Sequence, residues 1–176
     1  MEQTSFIELV KTHFKYLIDE YGFVLTETRH SPEYFGNGLV RFQSSNANIT
    51  IILDRGQVLI DIEPYLVMPN QSFDLRSVVM FLTPQINEPI YLFPNNKDVD
   101  ESRKWQINRL AHLLRQYCAQ VLEGKFSSWE ELRQFRDKAA METYRNITGR
   151  DPLHITSQKG AAIIQKELER RKRKDI

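Results

Sequence analysis

Three carboxylates carry the clearest pattern for chemistry in this chain. Asp61 and Glu63 stand two residues apart in Gln57-Val58-Leu59-Ile60-Asp61-Ile62-Glu63. Apolar and polar residues alternate there with the period of a strand, so the two acids share a face. Asp54 precedes the turn Asp54-Arg55-Gly56, which joins this strand to the one before it. Acidic groups on adjoining strands are the oxygen donors that Mg²⁺ prefers, and a metal held there would make the chain a metal-dependent hydrolase. The same acids are also what the solvated face of an antiparallel sheet requires.

An Asp followed by a Glu-x-Lys strand is the arrangement of restriction-like nucleases. Here Glu63 is followed by Pro64-Tyr65, so no lysine stands ready for the attacking water or the phosphate. His13, His30, His112 and His154 are scattered, and no pair has the spacing of a zinc site. Cys118 is the one cysteine. It falls among apolar positions of a long helical pattern, away from a helix N-terminus that would activate a thiol, so a packed, inert thiol is expected. The seven glycines form neither Gly-x-Gly-x-x-Gly, nor Gly-x₄-Gly-Lys-Ser/Thr, nor Gly-x-Ser-x-Gly. The residues therefore point to no catalytic, cofactor-binding or metal-binding set.

Charge supplies the other signal. Residues 1–100 hold 13 Asp+Glu and 7 Lys+Arg, a net of −6, whereas residues 101–176 carry +7. More than half of that positive pole is the terminal run Arg170-Arg171-Lys172-Arg173-Lys174, since residues 170–176 alone give +4. Five bases at a helix end can reach phosphates, meet a partner protein, or simply answer the helix macrodipole. Residues 145–176 offer no aromatic side chain for stacking on bases. The acidic half thus points to a basic or protein partner. Asp61, Glu63 and the run 170–174 are the candidate contact residues.

The elements that must position these residues follow from periodicity. Ser5-Phe6-Ile7-Glu8 is a capping box. It opens a helix with Phe6, Leu9, Val10, Phe14, Leu17, Ile18 and Tyr21 on one face and Gly22 at its end. Strands are expected at 23–30, 39–44, 48–54 and 57–63, with Asn37-Gly38 as a hairpin turn. Their short links make a four-stranded antiparallel meander, with the first helix covering its apolar face. Ser72 caps a short apolar helix through Leu75, Val78, Val79, Phe81 and Leu82, stopped by Pro84. Residues 84–100 read as irregular, with a short strand at Ile90–Phe93.

A helix over 101–122 buries Trp105, Leu110, Leu113, Leu114, Tyr117, Cys118 and Val121. Ser128-Trp129-Glu130-Glu131 opens another, through Leu132, Phe135, Ala139 and Tyr144. A last helix begins at Thr156 or Ser157 and runs into the basic tail. The fold class is α+β, divided into a sheet-bearing part (1–94), a helical part packed on it (95–149) and a C-terminal helix (150–176). The N-terminus lacks the basic and apolar segments of a signal peptide, and no apolar run reaches the ~18 residues of a membrane span. With a single cysteine, a cytoplasmic protein without a membrane partner is expected.

One comparison rests on Tyr21-Gly22-Phe23 closing the first helix, the meander, and the Ser72-Phe73-Asp74-Leu75 helix start. It also uses Leu113-Leu114-Arg115-Gln116-Tyr117-Cys118 leading to Val121-Leu122-Glu123-Gly124-Lys125-Phe126. Over residues 5–135 this pattern resembles small uncharacterised bacterial α+β proteins. Some proteins of that size and build act as immunity or antitoxin-like partners in bacterial conflict systems. The resemblance implies no catalytic residues. With no catalytic constellation in the sequence and with charge separated along the chain, a non-enzymatic, protein-binding or regulatory role without a cofactor is expected. A nucleic-acid-binding accessory role for the basic helix is the alternative expectation beside the hydrolase.

Overall fold

The computed structural model describes residues 5–31, 37–86, 88–92 and 98–149. The expected last helix, its basic run Arg170–Lys174 and His154 lie outside the described residues, as does Phe93. The chain divides into two compact units, Met1–Leu132 and Arg133–Ile176.

In the first unit, α1 (Phe6–His13) and α2 (Lys15–Asp19) precede a meander of β1 (Val24–Ser31), β2 (Asn37–Gln43), β3 (Asn48–Asp54) and β4 (Gln57–Glu63). The two-residue β5 (Phe73–Asp74) leads into α3 (Leu75–Leu82). Then come α4 (Val99–Tyr117), α5 (Ala119–Leu122) and the start of α6 (Trp129–Thr148). The fold is α+β, as the sequence pattern predicts. The sheet is antiparallel throughout in the order β1-β2-β3-β4-β5, so β5 adds a fifth strand to the expected meander.

Alternation decides the two faces of this sheet. Val40, Phe42, Ile49, Ile51, Leu53, Val58, Ile60, Ile62 and Phe73 are buried on one. Helices reach that face at Phe6 against Gly38 and His30, Phe14 against Phe42, and Trp129 against Phe73. At Gly38 a Cβ would sit 2.6 Å from Cδ1 of Phe6. The Asn37-Gly38 pair is therefore the start of β2 and not the turn its type predicts, because close packing, not a positive φ, demands this glycine. The true mirror-type turn is Arg55-Gly56, at φ 49° and 85°. The Arg55 amide is tied by donating to Asn37 Oδ1 at 3.1 Å.

Three expected elements are broken or shifted. The first helix is interrupted at Phe14, where φ −101° and ψ 12° end α1. This resets the phase, so Tyr16 turns inward while Ile18 is left exposed. Tyr16 donates its hydroxyl to Ala111 O at 3.0 Å, pinning α2 to α4. The 101–122 helix is likewise interrupted at Cys118. Along α4 the buried line runs through Gln106, Ile107, Leu110, Leu113 and Leu114, leaving Trp105 and Tyr117 half-buried. Because Phe73 and Asp74 pair with β4, the cap of α3 is Asp74 and not Ser72. Its carboxylate accepts from Ser77 N at 3.0 Å and from Ser77 Oγ at 2.6 Å. The expected strand at Ile90–Phe93 does not form over Ile90–Leu92.

In the second unit, α6 continues to Thr148. Its polar surface is laced by Arg133–Asp137 and Arg136–Asp137 pairs, and Gly149 follows at φ 68° as a left-handed cap.

Candidate protein-interaction surface

The face of the sheet turned away from these helices is ordered into rows by strand register. Arg29, Leu39, Ile52 and Leu59 stand side by side across β1–β4. Beside them Glu27, Arg41, Thr50, Asp61 and Asp74 cross all five strands. Gln43, Asn48 and Glu63 make a third row. Leu39, Ile52 and Leu59 are half-buried, an apolar strip on an otherwise polar face.

The charged row has a polarity. Arg41 donates through Nε to Thr50 Oγ1 at 3.2 Å and pairs through Nη1 with Glu27 at 3.0 Å, and Arg29 also pairs with Glu27. Glu63 accepts from Asn48 Nδ2 at 3.0 Å. Among the described residues no cation pairs with Asp61, Glu63 or Asp74. Burial and the facing Asp74 carboxylate hold Asp61 above the usual carboxylate range. Tyr91 comes close to both acids. Burial first, then the Asp74 charge, raises its hydroxyl well above the usual phenol range. That oxygen lies near the Ile60 and Leu75 amides without closing a hydrogen bond to either. The face is thus cation-bearing at β1–β2 and acidic at β4–β5.

Register also settles the three carboxylates. Asp61 pairs with Thr50 and Glu63 with Asn48, whereas Asp54 pairs with Gln57. Asp54 is four residues along β3 from the Asp61 position, about 13 Å at ~3.3 Å per residue. Shared ligation through 2.0–2.6 Å metal–oxygen bonds cannot span that distance. The structure brings Asp61 together with Asp74 instead. Cys118 is fully buried and its thiol is pushed up to about 12 by burial. It sits at the junction between α4 and α5 rather than in mid-helix. His13 is lowered, by burial and then by nearby Lys104, while His30 packs against Phe6 with ring centres 6.3 Å apart.

The two edges of the sheet differ. On the β4 side, β5 pairs with Asp61 and Ile62. Further along, the side-chain amide of Gln106 takes over. It accepts from Val58 N at 3.0 Å and donates to Gly56 O at 3.2 Å, substituting for a strand that is absent there. On the other side β1 is the terminal strand, largely exposed along its length. No strand pairs with its outer edge among the described residues.

Of the candidate contact residues, Asp61 and Glu63 lie on the open face, in adjacent rows. Arg170, Arg171, Lys172, Arg173 and Lys174 lie outside the described residues. Asp74, Arg41, Tyr91 and Gln106 were not indicated by sequence motifs. A signal existed for Gln106 alone: it shares a helical face with Leu110 and Leu113, a polar residue within an apolar stripe. No protein-family model, curated protein or solved structure matches this chain.

Proposed function

We propose that this chain acts by binding another protein through the open face of its sheet. The observation that supports the reading is the half-buried strip Leu39–Ile52–Leu59 on the face away from the helices, flanked by Asp61, Asp74 and Glu63, which pair with no cation among the described residues. A partner suited to it presents an apolar centre with basic groups on one side. Complementary charge of this kind speeds and selects association more than it adds affinity. An immunity or antitoxin-like role in a bacterial cytoplasm is one form of this reading, and the acidic N-terminal half agrees with it.

Capture from the native host with the full chain as bait tests the proposal. At moderate salt, and after nuclease treatment, the wild-type protein retains one stoichiometric protein. Leu59→Asp, and Asp61→Lys combined with Glu63→Lys, lose it while keeping the wild-type circular dichroism. Recovery of no protein, or equal recovery by the variants, overturns the reading. Salt-steep affinity for nucleic acid that disappears on removing residues 169–176 would replace it with the nucleic-acid alternative.

A further inference from the structure

The open edge of β1 carries its own charge code. Glu27 and Arg29 lie on the same face of the strand, one residue to either side of Thr28. Two copies of β1 laid antiparallel with Thr28 opposite Thr28 would place Glu27 of each against Arg29 of the other. Both pairs then fall on the open face, and two cross-strand ion pairs and a Thr–Thr pair close the ladder, contacts that stabilise antiparallel pairing. Moving the two-fold to Glu27 sets Glu27 against itself, and moving it to Arg29 sets Arg29 against itself. Registers shifted by an odd number would turn the open face of one copy to the helix-covered side of the other. The Thr28-centred register is the one that satisfies both charge and face.

Two further features bear on this edge. Pairing about a two-fold uses the same β1 edge in both copies, so the association closes into a dimer and does not propagate. Beyond the two-residue β5, the opposite side of β4 is met by the Gln106 side chain. The register shift between Leu25 and Glu27 marks a bulge at Thr26, which keeps the regular ladder short and the association concentration-dependent.

We propose that β1 is a self-association edge, pairing with β1 of a second copy of this chain about Thr28 to give a ten-stranded sheet. The inference concerns a different surface from the open-face partner site and stands or falls separately from it.

Sedimentation of the full chain over a concentration series tests it. The wild type passes from monomer to dimer. Arg29→Glu, which leaves the Glu27–Arg41 pair in place, and Glu27→Arg each turn two attractive pairs into repulsive ones. Each raises the dissociation constant about tenfold or more. Mixing these two variants restores a heterodimer, and combining both changes in one chain restores the homodimer. Thr28→Cys gives a disulfide-linked dimer on mild oxidation, with buried Cys118 remaining a free thiol. A wild type that stays monomeric to its solubility limit, or single variants that dimerise as well as the wild type, overturns the proposal. Failure of the mixed variants to rescue also overturns it.

Discussion

Gln106→Leu should be the most damaging polar-to-apolar change on α4, although leucine has nearly the volume of glutamine and suits an apolar stripe. Gln106 is 4% exposed and Val58 1%. The substitution leaves the Val58 amide buried without an acceptor, which costs about 1–3 kcal/mol. It also strips the donor from Gly56 O, a half-buried carbonyl that water partly re-solvates, for about 0.5–1.5 kcal/mol more. The gain from burying an apolar side chain in place of an amide offsets part of this. The expected net loss is about 2–4 kcal/mol, a fall in Tm of about 5–15 °C for a unit of this size.

Urea unfolding measures the loss, and hydrogen exchange at the Val58 amide localises it. Gln106→Glu supplies a control with its own signature. Ionised, it keeps an acceptor for Val58 but buries a charge and cannot donate to Gly56, so it is destabilised at neutral pH and partly recovers on acidification. If Gln106→Leu lies within ~0.5 kcal/mol of the wild type with Val58 still protected, the view that this side chain stands in for an edge strand is wrong.

Other consequences are directly measurable. Gly38→Ala forces a Cβ against the Phe6 ring and should cost about 1–3 kcal/mol. In a Phe6→Leu background the same change should cost less, and full additivity in urea unfolding would refute the contact. Asp61 has a raised pKa in the fold, so its ionised form opposes folding. The penalty is present at neutral pH and is relieved as pH falls through the raised value towards the ordinary carboxylate range. Asp61→Asn should therefore raise the urea midpoint at pH 7, with the advantage shrinking in acid; an advantage that grows in acid would contradict the Asp61–Asp74 repulsion. Cys118, with its thiol at about 12, should resist alkylation at neutral pH in the native protein and react once urea unfolds it. Rapid native labelling would show that α4–α5 opens readily.

The legible parts of this protein were those governed by local rules. Alternation in 57–63 specified β4 and its inward Val58, Ile60 and Ile62. Ser5 with Glu8, and Gly22 with Phe23, marked the ends of the first helical segment, because caps satisfy backbone groups within a few residues. Asn37-Gly38 misled because glycine serves two purposes, positive φ and close approach. Only the position of Phe6, more than thirty residues earlier, shows which applies. Ile18 and Trp105 misled because a helical stripe is wide enough to admit two phases, and contacts with Ala111 and with Val58 selected one of them.

By itself, the sequence determined the α+β class, the strand order of the meander, the acidic character of its first hundred residues and the shared face of Asp61 and Glu63. These follow from side-chain periodicity, turn length and composition. Tertiary structure decided the rest. Register placed Asp54 far from Asp61 and set Asp74 against it instead. The fold closed one sheet edge with a glutamine from a helix 48 residues along the chain from Val58, and among the described residues no strand pairs with the outer edge of β1. The edge outcomes depend on which backbone groups remain unpaired after the chain has folded, and a polar residue at 106 within an apolar stripe marks the glutamine without showing which backbone groups it meets.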